Sequence, residues 1–152
     1  MLWQTARFAL DLSVPKVMGI VNVTPDSFSD GGAYAAPGAA LAHCEQLLKD
    51  GADILDIGGE STRPGAAPLP GEEELHRLFP VLRHAVKLGM PVSVDTYKPR
   101  VMQAMLDLGA DIVNDVWALR WRDPRGGETG REVIARHPQC GVCLMHMHRE
   151  PS

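Results

Sequence analysis

Three times along the chain a helical pattern runs into a glycine and is followed by a short apolar run ending on a polar residue. The segments are Leu47-Leu48-Lys49-Asp50-Gly51-Ala52-Asp53-Ile54-Leu55-Asp56, Leu88-Gly89-Met90-Pro91-Val92-Ser93-Val94-Asp95 and Leu106-Asp107-Leu108-Gly109-Ala110-Asp111-Ile112-Val113-Asn114-Asp115. Glycine just past an apolar stripe marks a helix C-terminus, because the left-handed turn there costs it little. The runs after it are short and rich in Val and Ile, which suits strands buried in a parallel sheet. Helices are expected upstream, one with Leu41, Cys44 and Leu48 on a face after Pro37, another with Leu75, Leu78, Phe79, Leu82, Ala85 and Val86. Pro80 is expected to kink or split the second. Two further strands fall at 16–23 and 140–147. The alternation of five strands with four helices predicts an α/β parallel sheet. Right-handed crossovers then gather the strands' carboxyl ends on one side. Asn22, Asp56, Asp95, Asn114 with Asp115, and His146 with His148 would converge there, at the edge where such sheets bind ligands. Any one of them could instead cap a helix or make a turn.

The chain has 152 residues, 45% hydrophobic and 22% charged, enough apolar material for a core. Its net charge of −4 provides no global basic field for nucleic acid or anionic lipid. The charge is uneven: 1–76 hold four Lys and Arg against eleven Asp and Glu, 77–152 hold eleven against eight. No apolar run approaches the length of a membrane span, and Arg7 and Asp11 interrupt the stretch where a signal peptide would be apolar. Three cysteines fit reduced thiols and a cytoplasmic location.

The loops after the first two strands are long for βα connections, as functional loops often are. They carry the most specific signals. Met18-Gly19-Ile20-Val21-Asn22-Val23-Thr24-Pro25-Asp26-Ser27-Phe28-Ser29-Asp30-Gly31-Gly32 resembles the first signature of the dihydropteroate synthase family. Gly51-Ala52-Asp53-Ile54-Leu55-Asp56-Ile57-Gly58-Gly59-Glu60-Ser61-Thr62-Arg63-Pro64-Gly65 resembles the second. Val92-Ser93-Val94-Asp95-Thr96, Val113-Asn114-Asp115-Val116 and Leu144-Met145-His146-Met147 are similar to that family's third, fourth and fifth strand ends.

The resemblance implies a (β/α)8 barrel of the TIM type that joins a pterin pyrophosphate to p-aminobenzoate in folate synthesis. It implies departure of pyrophosphate, helped by Mg2+, before the amine attacks a pterin cation. Asp95 and Asn114 match the pair that binds the pterin ring, and an ionised carboxylate there would stabilise developing positive charge. Val116 and Met145 match apolar contacts of the ring. Asn22 matches the amide that contacts the magnesium–pyrophosphate unit, since a neutral oxygen suits an ion that keeps most of its waters. Thr62 and Arg63 match a loop meeting the pyrophosphate and the p-aminobenzoate pocket, with Ser27, Phe28 and Pro64 in the pocket wall. A guanidinium fork fits two phosphate oxygens at once.

A barrel of this kind takes about 200 residues or more, and five strands are legible in 152. The expectation is that 1–152 form the N-terminal part of one pterin-binding barrel domain, with strands one to five in 16–147 and a longer connection at 120–136. The family's Asp after the sixth strand, Lys of the seventh and Arg-x-His of the eighth have no counterpart, so this stretch alone is expected to be an incomplete synthase with open sheet edges. A homodimer is implied for the full-length family. The alternatives are a non-catalytic or truncated pterin-binding module, or the methyltetrahydrofolate-binding domain of a corrinoid methyltransferase, which lacks the Thr24–Asp30 loop. Cys140-Gly141-Val142-Cys143 lies in a strand, unlike redox pairs that open a helix. Two imidazoles at His146 and His148 would share a strand face but lack the further ligands of a zinc site. His43, His76, His84 and His137 are expected at the surface. Five arginines between Arg120 and Arg136 are interleaved with Asp123, Glu128 and Glu132, which reads as a solvated, salt-bridged loop without a nucleic-acid role. Arg149 stands where many members of the family have glycine.

Overall fold

The five expected strands form in chain order and lie side by side in that order. A computed structural model of the chain describes residues 1–24, 32–61 and 65–148. After a short hairpin, β1 (Leu2–Gln4) and β2 (Ala9–Asp11), the order is β3 (Met18–Asn22), α1 (Gly32–Lys49), β4 (Ile54–Gly58), α2 (Gly71–Ala85) and β5 (Val92–Asp95). It continues with α3 (Pro99–Leu108), β6 (Ile112–Asp115), α4 (Gly130–Ala135) and β7 (Gly141–Leu144). Strands β3 to β7 make one all-parallel sheet in the order β3-β4-β5-β6-β7. Sequential order without a switch point is the arrangement of a (β/α)8 barrel rather than a doubly wound sheet. Gly51, Gly89 and Gly109 all have positive φ, at 95°, 78° and 112°, as the repeated helix-end pattern requires.

One face of the sheet is covered by helices. Val21, Leu55, Ile57, Val92, Val94 and Val113 pack there against Ala40, Cys44, Leu78, Leu82, Met102 and Met105. Each fully buried aliphatic side chain contributes about 1.5–3 kcal/mol. Helix α2 runs unbroken through Pro80, so the expected split does not occur; proline removes a single ladder donor, and here it sits on the exposed side. Phe79 is 46% exposed, against expectation, while Glu74 and Val81 are buried. The buried stripe is turned toward Glu74 because that carboxylate has a cationic partner inside. Helix α1 begins at Gly32, ahead of Pro37. The 120–136 stretch is more ordered than a loop, since Thr129 and Glu132 form a reciprocal capping box on α4. Arg136 pairs with Glu128 at its far end.

The hairpin closes the sheet's amino-terminal edge. Arg7 Nε donates to Asp111 Oδ1 at 2.9 Å and its Nη2 to Oδ2 at 2.8 Å, while Asp111 also accepts from the Arg7 and Val92 backbone N–H groups. Gly141 lies under this cap: a Cβ there would sit 3.0 Å from Ile112, 3.1 Å from Thr5 and 3.1 Å from Trp3. No described helix is long and apolar enough to cross a membrane.

Candidate functional site

Register, more than proximity in sequence, assembles the site. Asn22 pairs with Gly58, Gly58 with Asp95, Asp95 with Asn114, and Asn114 with Cys143. Paired residues in a ladder share a sheet face, so these five form one row across the carboxyl edge, opposite the helix-covered face. One layer below, the same pairing gives Ile20, Asp56, Ser93, Ile112 and Gly141. Gly58 makes room for Asp95: a Cβ on it would lie 3.3 Å from the Asp95 Cβ and 3.5 Å from Oδ2.

The two layers are rich in acceptors. Asn114 Nδ2 donates to Asp56 Oδ2 at 3.1 Å, which turns the Asn114 amide oxygen away from Asp56. Asp56 is 4% exposed, and its Oδ1 and the Ser93 Oγ are buried without a hydrogen-bond partner among the described residues. Burial pushes the Asp56 carboxyl up, and the Ser93 hydroxyl and then the Asn114 amide beside it oppose the rise. Asp95 is pushed up to about 7 by burial first, then by the charges of Asp56, Glu74, Asp115 and Glu60. Buried polar atoms without partners are costly. A flat heterocycle bearing amine and ring N–H donors would satisfy them, and the same carboxylates would favour positive charge on that ring.

Asp115 departs from the expected convergence. It lies on the other face, and its carboxylate accepts from Trp117 N at 2.8 Å and Leu119 N at 2.7 Å. It thereby pins a turn in which Ala118 and Leu119 have φ of 52° and 60°, a left-handed conformation that non-glycine residues seldom adopt. The turn-making reading of Asp115 is the right one. Strand β7 ends at Leu144, so Met145, His146 and His148 lie beyond it; Met145 is 38% exposed, and both histidines are exposed. Val116 is half-buried just past β6. His84 and His137 are also half-buried, and His137 Nδ1 donates to the Val133 carbonyl at 2.9 Å. Ser27, Phe28, Thr62, Arg63 and Pro64, with Arg149, lie outside the described residues.

Among the described residues no group of three His, Cys, Asp or Glu is placed to hold a metal. Asn22, exposed at the end of β3, offers one amide oxygen. That donor fits a hydrated ion arriving on a phosphate better than a resident ion. The cysteines are unpaired, and burial raises the Cys44 and Cys140 thiols to about 11, which suits inert core residues.

Next to this row lies a buried ion cluster that is not among the features expected from the sequence. Lys98, between β5 and α3, reaches Glu60 after β4 and Glu74 in α2, and Tyr97 Oη donates to Glu60 Oε1 at 2.9 Å. A signal was available: Glu74 interrupts what is otherwise the buried face of an amphipathic helix.

Three comparisons with known proteins bear on this geometry. The sequence model of the family described as pterin binding enzyme matches residues 18–152. Dihydropteroate synthase of Neisseria meningitidis serogroup C is 53% identical over 152 residues, covering 99% of this chain and 52% of its own length. That of Escherichia coli is 46% identical over 144 residues, covering 94% and 49%. Among solved structures, Xanthomonas albilineans dihydropteroate synthase with 4-aminobenzoic acid superposes with a TM-score of 0.86 at 49% identity, over 97% of this chain and 53% of that one. Burkholderia cenocepacia dihydropteroate synthase complexed with 7,8-dihydropteroate gives 0.82 at 44% identity, over 99% and 48%. The chain spans about half the length of the curated relatives it matches.

Proposed function

This chain belongs to the pterin-binding enzyme family, and from that premise we propose that it provides the pterin-binding strand ends of a dihydropteroate synthase. The reaction condenses 6-hydroxymethyl-7,8-dihydropterin pyrophosphate with p-aminobenzoate. The bond from the pterin methylene carbon to the pyrophosphate oxygen breaks, the arylamine nitrogen bonds to that carbon and loses a proton, and pyrophosphate leaves. The observation that carries this reading is the row Asn22, Gly58, Asp95 and Asn114 above a buried Asp56 with an unpartnered oxygen.

In this reading Asp95 accepts from the ring's amine and ring N–H groups and, once ionised, stabilises the cationic ring left when pyrophosphate departs. Asn114 offers its free amide oxygen to the same edge, with its orientation set by Asp56. Val116 and Met145 bound the ring with apolar surface, and the Asn22 amide oxygen would help hold the magnesium ion carried by the pyrophosphate, which would ease departure of that group. Thr62 and Arg63 bind the pyrophosphate and the p-aminobenzoate, and Ser27, Phe28 and Pro64 wall that pocket. Both partners are small molecules, and we place the enzyme in the cytoplasm as a homodimer. The test is turnover by the protein encoded by the complete reading frame. It should form dihydropteroate from both substrates with Mg2+ and stop when Asp95→Ala is introduced. Undiminished turnover by that variant would overturn the assignment.

A further inference from the structure

The ion cluster beside the row has a geometry that a solvated charge patch would not have. Lys98 and Glu74 side chains are 9% and 1% exposed, and Glu60 is 14% exposed. Lys98 Nζ donates to Glu74 Oε2 at 2.7 Å and to Glu60 Oε2, and it lies 4.3 Å from the centroid of the Tyr97 ring. Tyr97 in turn packs edge-on against Trp121 at 5.2 Å between centroids. The backbone beneath Glu60 is held as well. Arg77 Nη1 donates to the Gly59 carbonyl at 3.1 Å, and a Cβ on Gly59 would lie 3.3 Å from Leu78 and 3.4 Å from Glu74. Glycine is what lets the strand end lie directly on α2.

The contacts of Lys98 and Tyr97 with Glu60, and of Arg77 with the Gly59 carbonyl, hold residues 59 and 60 shortly before the chain runs on through Thr62 and Arg63. We propose that Lys98 is a positioning residue for the transfer reaction: bridging Glu60 and Glu74 under the Tyr97 ring, it fixes the end of β4 against α2 and so sets where the second loop departs. The proposal rests on the function proposed above for that loop, in binding p-aminobenzoate and pyrophosphate. Burial alone would lower the Lys98 ammonium, but Glu74 and Glu60 more than offset it, so the cation persists. Two carboxylates share one cation, so the cluster keeps a net negative charge and gains from the Tyr97 hydroxyl donor.

The test uses the protein from the complete reading frame, with Lys98→Met and Lys98→Arg. Hydrogen exchange is followed in peptides covering 58–61 and, as internal reference, 92–95. Steady-state constants are measured for p-aminobenzoate, and calorimetry gives the affinity for the pterin substrate. Misplacement of a binding loop costs roughly tenfold to a hundredfold. The expected result for Lys98→Met is exchange at 58–61 at least about tenfold faster and a KM for p-aminobenzoate raised by a similar factor. Exchange at 92–95 and pterin affinity should stay within about twofold, and Lys98→Arg should recover most of the loss by keeping the charge. Equal loosening of both peptides, equal loss for both substrates, or no effect would overturn the proposal. If Lys98→Met does not fold, Glu60→Gln carries the same test, because it leaves Glu74 paired with Lys98. Absence of turnover in the unsubstituted protein would overturn the function above, while the exchange comparison would still decide whether Lys98 holds the β4 end.

Discussion

Replacing Asp95 with Asn should stabilise the fold, and the gain should grow with pH. Its carboxyl rises from the ordinary 3.8 to about 7 because it is buried and feels the charges of Asp56, Glu74, Asp115 and Glu60. At 1.36 kcal/mol for each pKa unit, ionising it in the folded chain costs about 4 kcal/mol once the pH exceeds 7. For a raised carboxyl the folded state binds more protons than the unfolded one. The stability is therefore fully present below pH 3.8 and is lost as pH rises through 7. At pH 5 the penalty is below about 2 kcal/mol, since only the interval above 3.8 counts. Urea unfolding of the two proteins at pH 5, 6, 7 and 8 should show Asp95→Asn ahead by about 1–2 kcal/mol at pH 5 and by about 3–4 kcal/mol at pH 8. Part of that gain is relief from the Asp56 charge, the largest contribution to the rise after burial. A gain that does not change with pH, or a variant less stable than the parent at pH 8, would show that the Asp95 carboxylate is not strained in the fold. The prediction ties function to strain, because the substitution that stabilises the fold removes the charge assigned to the ring.

Arg7→Ala should destabilise the chain by about 3 kcal/mol in denaturant unfolding, because it strands the fully buried Asp111. Arg7→Lys should recover less than half, lacking the fork that engages both oxygens; a loss below about 0.5 kcal/mol would show that the hairpin is not anchored there. Gly58→Ala places a methyl 3.3 Å from the Asp95 Cβ, and pterin affinity should fall more than stability, which should drop by about 1 kcal/mol; calorimetry and thermal melting separate the two. Removing Mg2+ with a chelator should weaken binding of the pyrophosphorylated pterin and leave 6-hydroxymethylpterin unaffected. Equal loss for both ligands would remove Asn22 from its role.

The strand and helix order was legible because a glycine helix end followed by a short Val- and Ile-rich run has few other solutions. The site row was legible because strand ends in a parallel sheet converge, and Asn22, Asp95 and Asn114 occur at matching register. The hairpin was not, since each strand has three residues and its anchor joins positions 104 residues apart. Asp115 and Asn114 are adjacent in sequence yet point to opposite faces, and only register separates a turn residue from a site residue. Phe79, expected on the buried face, is exposed while Glu74 is buried, for a tertiary reason: the Lys98 ammonium gives that carboxylate a partner inside. Glu60, Glu74 and Lys98 are far apart in sequence, and they form a clamp only where β4, α2 and the chain after β5 meet.

Binding of the pterin ring by the Asp95 and Asn114 row is decided by calorimetric titration of 6-hydroxymethylpterin into the protein from the complete reading frame and into its Asp95→Ala and Asn114→Ala variants at pH 8. The parent should bind, Asp95→Ala should show no detectable binding, and Asn114→Ala should lose about tenfold, the scale of one neutral hydrogen bond with its partner left unpaired. Unchanged affinity in a folded Asp95→Ala variant would contradict that binding role.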